Sequence, residues 1–188
     1  LGHRYGVPVY ASLHEARLRG TTTTDTTRAT VESYRGRALN AWEDEVDGIY
    51  AFNLFDPHLS LWSELGSTAT LNYLNRIYHA SVRGVGGSLW RVPHSHTYRR
   101  LPLLSPQPVS GCTIALRNNL TEVPVDVGGA LDFAREIQLR LTVANAIAGE
   151  PLAAQWNGAW LPQGDYRNGI LCIPLQREMI KPRGNIVG

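Results

Sequence analysis

The sequence predicts an α/β segment over residues 1–82, a linker over residues 83–96 and an all-β segment over residues 97–188. Before residue 82, apolar runs alternate with stretches whose apolar residues recur at three- and four-residue steps, as in β–α–β–α units. After residue 96, prolines separate short apolar runs at intervals of about 8–12 residues, which is typical of a β-sandwich. These two patterns set the predicted fold class, α/β followed by all-β.

Composition narrows the expected partners. The 188 residues include 18 Lys and Arg and 16 Asp and Glu, so the net charge is only +2. A chain with so small a net charge has a weak electrostatic field and is not expected to bind nucleic acid or a membrane surface. No apolar run approaches the roughly 18 residues of a membrane span. We therefore predict an uncharged ligand. The sequence contains no phosphate-binding glycine loop or zinc-protease motif, and we predict no cofactor.

The central strand of the α/β segment is predicted over residues 49–54. It follows the turn pair Asp47-Gly48 and ends before Pro57, which cannot donate to a sheet. Its continuous apolar character is typical of a parallel strand covered on both faces. An earlier strand is predicted over residues 7–13. The carboxyl end of such strands is where α/β proteins bind ligands.

Two amphipathic helices are predicted around this strand. The first covers residues 27–45, and its apolar face comprises Val31, Tyr34, Ala38, Leu39 and Trp42. The second begins after Ser67 or Thr68, and its apolar face comprises Leu71, Leu74, Ile77 and Tyr78. By length, two β–α units amount to about a quarter of an eight-fold barrel, which typically takes about 250 residues.

The all-β segment is predicted from three local patterns. Residues 136–143 alternate strictly between apolar and polar side chains, as in a half-buried antiparallel strand. Asn157-Gly158 predicts a type I′ hairpin turn, because both of its central positions need positive φ. Residues 170–175 form a further predicted strand. Short strands of this kind indicate a sandwich rather than a parallel sheet.

Two passages carry a resemblance to a known family. The run from Ser33 to Trp42, leading into residues 47–53, resembles the last helix-to-strand step of a (β/α)8 barrel. Residues 139–143, Trp156-Asn157-Gly158 and Gly184-Asn185 resemble accessory sandwiches with a galactose-binding-like or jelly-roll outline. Together they resemble the carboxyl-terminal part of bacterial glycoside-hydrolase-like proteins, in which a TIM-like barrel is followed by a β-sandwich.

The resemblance implies a fold and an activity. Residues 7–13 and 49–54 would be the seventh and eighth barrel strands, so residues 1–82 would be the last two βα units. The missing amino-terminal barrel strands would belong to a longer protein and would act as the partner of this fragment. The implied activity is hydrolysis of glycosidic bonds in an oligo- or polysaccharide.

Glycoside hydrolysis needs two carboxyl groups about 5–10 Å apart. Glu15 follows the predicted strand at residues 7–13, on the side where barrel chemistry occurs, and is the candidate nucleophile or base. The alternative is a solvated loop carboxylate. The second member of the pair would come from a strand that this sequence lacks.

Four residues after the central strand are candidates for substrate binding. Asn53 and Asp56 could hydrogen-bond sugar hydroxyls, while Phe55 and Trp62 could offer apolar faces to a pyranose ring. The alternative has Asn53 closing the top of a barrel, Asp56 capping a turn, and both rings in the core.

Two tryptophans form a second candidate site. Trp156 and Trp160 bracket the hairpin turn and could form a platform on which sugars stack. Cross-strand or core packing is the alternative, and each such pair contributes about 0.2–1 kcal/mol. Tyr10 and Tyr50 are predicted to pack inside the barrel.

The sequence does not predict a metal site from its histidines and cysteines. His94 and His96 could place two imidazoles on one side of a strand, but no carboxylate or cysteine cluster completes a ligand set, so a polar linker is favoured. Cys112 and Cys172 lie far apart and fit either two buried thiols or one disulfide.

Three functions are consistent with these patterns. The first is a fragment of a carbohydrate-active hydrolase. The second is a non-catalytic carbohydrate-binding module. The third is a structural accessory module that stabilises a catalytic domain elsewhere.

Overall fold

The computed structural model describes residues 2–14, 30–52, 54–79, 122–142 and 152–188. The side chain of His14 is outside this description. All structural statements below refer to these residues.

The amino-terminal part is a small β–α–β unit followed by two short helices. Its elements are a 3-10 turn at His3–Tyr5, β1 at Tyr10–His14, α1 at Val31–Glu43, β2 at Gly48–Phe52, α2 at Leu61–Glu64 and α3 at Thr68–Asn72. Thr30 caps α1, because its hydroxyl accepts the backbone N–H of Ser33 at 3.3 Å. The predicted first helix and central strand are therefore confirmed, with bounds shifted by a few residues.

The strands β1 and β2 pair in parallel. The register joins Tyr10 to Gly48 and His14 to Phe52. Leu13 is 1% exposed and belongs to a core with residues from all three helices. The buried members of this core are Leu13, Tyr34, Ala38, Leu39, Leu61, Leu65 and Leu71. Burial of these side chains is what holds a two-stranded sheet of marginal intrinsic stability.

A largely buried ion pair joins α1 to α2, with the side chains of Arg35 and Glu64 13% and 10% exposed. Arg35 donates from Nε and Nη2 to the two carboxylate oxygens of Glu64, at 2.8 and 2.9 Å. Glu64 is 7% exposed, and the hydrogen bonds from Arg35 hold its pKa below the ordinary value of 4.5. Such a two-point contact fixes orientation as well as charge.

Because of the Arg35–Glu64 ion pair, we expect the stability of the fold to fall at low pH. Because the folded-state pKa of Glu64 is lowered, its contribution to stability is complete above pH 4.5 and is lost as pH falls through the folded value. We expect Glu64→Gln to destabilise the protein at pH 7 and to flatten the fall in stability between pH 5 and pH 3. Urea unfolding at a series of pH values measures this slope. An unchanged slope in the variant would show that the pair has no such role.

The helix α3 is much shorter than the sequence predicts. It ends at Asn72 because the guanidinium of Arg76 donates to the carbonyls of Leu71 and Asn72, at 3.3 and 2.9 Å. The backbone N–H of Ile77 then donates to the carbonyl of Glu32 at 3.0 Å. The chain after α3 therefore runs against α1 instead of continuing as a helix.

The predicted barrel fold class is wrong. The described chain is mostly sheet with three short helices and small antiparallel sheets, and no barrel closes. Two physical reasons account for this. Tyr50 in the middle of β2 is 55% exposed, so the strand is covered on one face only. The five-residue α3 is too short to cover a second face, so the chain does not form two βα units of a TIM-like barrel.

Within residues 122–142 and 152–188, the carboxyl-terminal part forms seven short strands. These are β3 at Val123–Val125, β4 at Gln138–Thr142, β5 at Gln155–Trp156, β6 at Ala159–Trp160, β7 at Asp165–Arg167, β8 at Ile170–Pro174 and β9 at Asn185–Val187. They form two antiparallel sheets with strand orders β3-β9-β5-β6 and β4-β8-β7. Both sheets contribute to one core, which comprises Val127, Leu139, Ala154, Trp156, Leu171, Ile173, Leu175 and Val187.

Three local predictions in this part are confirmed. The alternating run at residues 136–143 contains β4, and residues 170–175 contain β8. The turn between β5 and β6 has φ of 52° at Asn157 and 84° at Gly158. Positive φ at both positions is what a type I′ turn requires.

A loop at residues 126–130 joins the two parts. Asn40 of α1 accepts the backbone N–H of Gly128 at 2.6 Å, and Asn72 accepts that of Ala130 at 2.9 Å. The two parts therefore share a hydrogen-bonded interface. The linker predicted at residues 83–96 lies outside the described residues, and the domain bounds stay a prediction.

Candidate functional site

One face of the β1–β2 sheet carries large exposed aromatic rings. Successive side chains of a strand point to opposite faces, and paired residues point to the same one. The register joins Ser12 to Tyr50, and Leu13 points into the core. Tyr10, Ser12, Tyr50 and Phe52 therefore share the opposite face, which we call the aromatic face.

The rings of the aromatic face are accessible. Tyr10 is 63% exposed and Tyr50 is 55% exposed. Phe52 is half-buried, and its ring centroid lies 5.8 Å from that of Tyr50 at an interplanar angle of 48°. Clusters of exposed apolar side chains of this kind mark binding surfaces more often than isolated ones do.

The ring of Tyr10 lies over Gly48, its partner in the sheet. A Cβ atom at position 48 would lie 2.7 Å from both Cδ1 and Cε1 of Tyr10. Glycine at this position therefore lets the ring approach the neighbouring strand closely. The Tyr10 ring therefore covers Gly48 and stands on the same face of the sheet as Tyr50.

Asp47 fixes the start of the two strands. Its carboxylate accepts the backbone N–H of Val9 at 2.6 Å and lies 2.7 Å from Nε2 of His3. Its own backbone N–H donates to the carbonyl of Val9 at 2.7 Å. The hydrogen bond from Val9, followed by that from His3, lowers the pKa of Asp47 below its ordinary value. These contacts hold Tyr10 in register with Gly48.

The loop after β2 and the start of α2 contain three of the residues predicted to bind substrate, Phe55, Asp56 and Trp62. The Asp56 carboxylate accepts the backbone N–H of His58 at 2.9 Å, and its carbonyl accepts Nε1–H of Trp62 at 2.8 Å. Asp56 thus caps the turn, which was the alternative to its predicted role in binding sugar. Phe55 is 83% exposed and Trp62 is 49% exposed, so neither ring is enclosed in the core.

Two further predicted site residues fall outside the described ranges. Glu15, the candidate nucleophile or base, follows β1 directly in sequence. Asn53, the candidate sugar ligand, follows β2 directly. Their proposed roles stay predictions.

The structure does not bring the two tryptophans together. Gln155 pairs with Trp160, so Trp160 points away from the side occupied by Trp156. Trp156 is 3% exposed and its indole N–H donates to the carbonyl of Met179 at 2.9 Å. Trp160 is 66% exposed. A platform made of both rings is therefore not formed, and Trp160 alone presents a ring to solvent.

Metal-ligating residue types do not converge within the described ranges. There, no group of three or more His, Cys, Asp or Glu side chains could hold an ion. Cys172 is a half-buried free thiol in β8. His94, His96 and Cys112 lie outside the described residues.

The sequence interpretation missed Tyr10 and Tyr50 as surface residues by assigning them to barrel packing. A signal was present in the sequence. In β1, Tyr10 and Ser12 alternate with Ala11 and Leu13, which is the pattern of a strand with one solvated face. Giving more weight to this alternation would have placed Tyr10 on the open side.

Comparisons with known proteins add no relative. Neither the protein-family models nor the curated proteins that were searched give a match to this chain. Within the described ranges, no helix combines the length and apolar character that a membrane crossing requires.

Proposed function

We propose that this chain is a non-catalytic carbohydrate-binding module whose oligo- or polysaccharide ligand stacks on the aromatic face. The observation that carries the proposal is the exposure of Tyr10 and Tyr50 on the same face of two adjacent strands. The Tyr10 ring lies against Gly48 and the Tyr50 ring lies 5.8 Å from that of Phe52, so ordering these rings on binding costs less than ordering free ones.

The chemistry of the aromatic face suits a sugar. A tyrosine combines an apolar ring face with a polar hydroxyl at its tip. The C–H faces of a pyranose can pack on the rings of Tyr10 and Tyr50, while its hydroxyls can exchange hydrogen bonds with their phenol groups and with Ser12. Apolar contact area together with a few polar groups is the usual composition of a small-molecule site.

The contacts of three carboxylates in the described amino-terminal part favour binding over catalysis. Asp47 bridges Val9 and His3, Asp56 holds its own turn, and Glu64 is paired with Arg35. Each has a structural role, whereas hydrolysis needs a pair facing one open site. The barrel on which the hydrolase interpretation depended is not formed.

Removing either ring should weaken sugar binding. One stacked aromatic ring contributes about 0.5–1.5 kcal/mol, so Tyr10→Ala and Tyr50→Ala should each reduce affinity about two- to twelvefold. Affinity electrophoresis in gels containing soluble polysaccharides measures the retardation of each variant. Circular dichroism of each variant would show whether the fold is intact.

Trp160→Ala provides the matched control. Trp160 is exposed to a degree similar to Tyr10 but lies at the hairpin of β5 and β6. We expect this variant to keep wild-type retardation. If Trp160→Ala abolished retardation while both tyrosine variants kept it, the binding site would lie at the hairpin and the proposed site would be wrong. Absence of retardation by every polysaccharide would contradict the proposed function itself.

A further inference from the structure

We infer that the ligand of the aromatic face is an internal stretch of a linear, uncharged polysaccharide that lies diagonally across β1 and β2. This inference rests on the proposed function and specifies its ligand. It excludes a single sugar, a chain end and an acidic glycan as the preferred ligand.

The positions of the aromatic residues in the sheet indicate an extended ligand. Tyr10 belongs to the first register pair of the sheet, Tyr50 to the third and Phe52 to the fifth. Residues two apart on a strand are separated by about 6.6 Å, and adjacent strands by about 4.8 Å. The Cα positions of these three residues therefore extend over about 13 Å along the strands and cross from one strand to the other. That length exceeds what one sugar ring can cover, so an extended chain makes the most contact.

The exposure of the aromatic face indicates that the ligand is an internal stretch of a longer chain. Sites that enclose a small ligand are concave and bury most of its surface. Here Tyr10 and Tyr50 remain 63% and 55% exposed on one face of the sheet, and the residues that the structure describes enclose neither ring. A chain that continues beyond both ends of the rings fits such a surface, whereas a chain end would need a closed wall for recognition.

The charge of the aromatic face indicates an uncharged ligand. The described side chains of this face, those of Tyr10, Ser12, Tyr50 and Phe52, are uncharged. His14 pairs with Phe52, and its side chain lies outside the described residues. The neighbouring carboxylate of Asp47 accepts hydrogen bonds within the fold and would repel an acidic glycan. Affinity for uronate or sulfate groups would instead require cations within reach of the ligand.

The first experiment compares charge classes of polymer. Affinity electrophoresis of the wild-type chain would use mixed-linkage β-glucan, arabinoxylan, galactomannan and amylose as uncharged probes, and polygalacturonate and alginate as acidic probes. We expect retardation by at least one uncharged polymer and less by either acidic one. Stronger retardation by an acidic polymer would overturn the inference while leaving sugar binding intact.

The second experiment compares chain lengths. Titration calorimetry would use mono- to hexasaccharides of the polymer that is retained, together with the hexasaccharide reduced to its alditol. We expect affinity to rise at least tenfold from monosaccharide to tetrasaccharide and to be unchanged by reduction of the chain end. Tyr10→Ala should narrow the difference between tetrasaccharide and monosaccharide, because it removes one end of the row of rings.

The outcomes separate the two proposals. If the monosaccharide binds as tightly as the tetrasaccharide, or if the alditol loses affinity, the extended-chain inference is wrong and the carbohydrate-binding function stands. If no polymer and no oligosaccharide binds, both are wrong.

Discussion

Gly36→Ala is expected to lower the free energy of unfolding by roughly 2 kcal/mol or more, although alanine is the better helix former. Gly36 lies in α1 where the helix touches the segment after α3. A Cβ atom there would lie 2.8 Å from the carbonyl carbon of Ile77 and would overlap its oxygen. The gain in helix propensity, about 1 kcal/mol, is smaller than the cost of separating the two backbones. Urea unfolding followed by circular dichroism measures the difference.

Gly66→Ala is the matched control for this substitution. A Cβ atom at position 66 meets nothing within 4 Å. Its effect on stability should stay within about 0.5 kcal/mol. If Gly36→Ala were as mild as Gly66→Ala, the close approach of α1 to Ile77 would not exist in solution.

Asn185→Ala is expected to cost roughly 3 kcal/mol. Asn185 in β9 is fully buried, and its amide serves four partners. Its Nδ2 donates to the carbonyls of Val125 and Lys181, at 3.3 and 2.6 Å. Its Oδ1 accepts from the backbone N–H of Lys181 at 2.8 Å and from Nδ2 of Asn157 at 3.1 Å. Alanine would leave several of these groups buried without a partner, and thermal unfolding measures the loss.

The exposed Asn75 offers a comparison of the same residue type. The interaction that the structure gives it is through its backbone carbonyl, which accepts from Arg35 and is retained in Asn75→Ala. This variant should unfold within a degree or two of the wild type. Equal shifts in the melting temperature for Asn185→Ala and Asn75→Ala would contradict the buried network.

The sequence predicted correctly those helices, strands and turns that depend on residues close together in the chain. The three- and four-residue period places α1, because one helical face must be apolar to pack on the sheet. Asn157-Gly158 predicts its hairpin, because few residue pairs accept positive φ at both positions. These features depend on residues close together in the chain.

The barrel prediction failed because it depended on contacts that local patterns do not contain. The apolar run in β2 was interpreted as burial on both faces, yet α1 covers only the side of Ile49, and Tyr50 faces solvent. The helix α3 ends where Arg76 donates to its last carbonyls, and Ile77 then donates to Glu32, a residue 45 positions earlier in the chain. An apolar run alone does not distinguish a two-sided strand from a strand with aromatic residues on its open face.

The candidate site was predicted only in part, for a similar reason. Phe55 and Trp62 were chosen for their position after a strand, and the structure leaves them 83% and 49% exposed. Tyr10 and Tyr50 come together only through the parallel register, which aligns residues 40 positions apart. That register becomes evident once the partner strand is known.

The most direct test of the aromatic face is a nuclear magnetic resonance titration of the isotope-labelled chain with a soluble, uncharged oligosaccharide. The proposal predicts that the largest amide shifts fall in β1 and β2, with ring-proton shifts of Tyr10 and Tyr50 that saturate together. Shifts concentrated at the β5–β6 hairpin around Trp160, or no shift with any oligosaccharide, would contradict it.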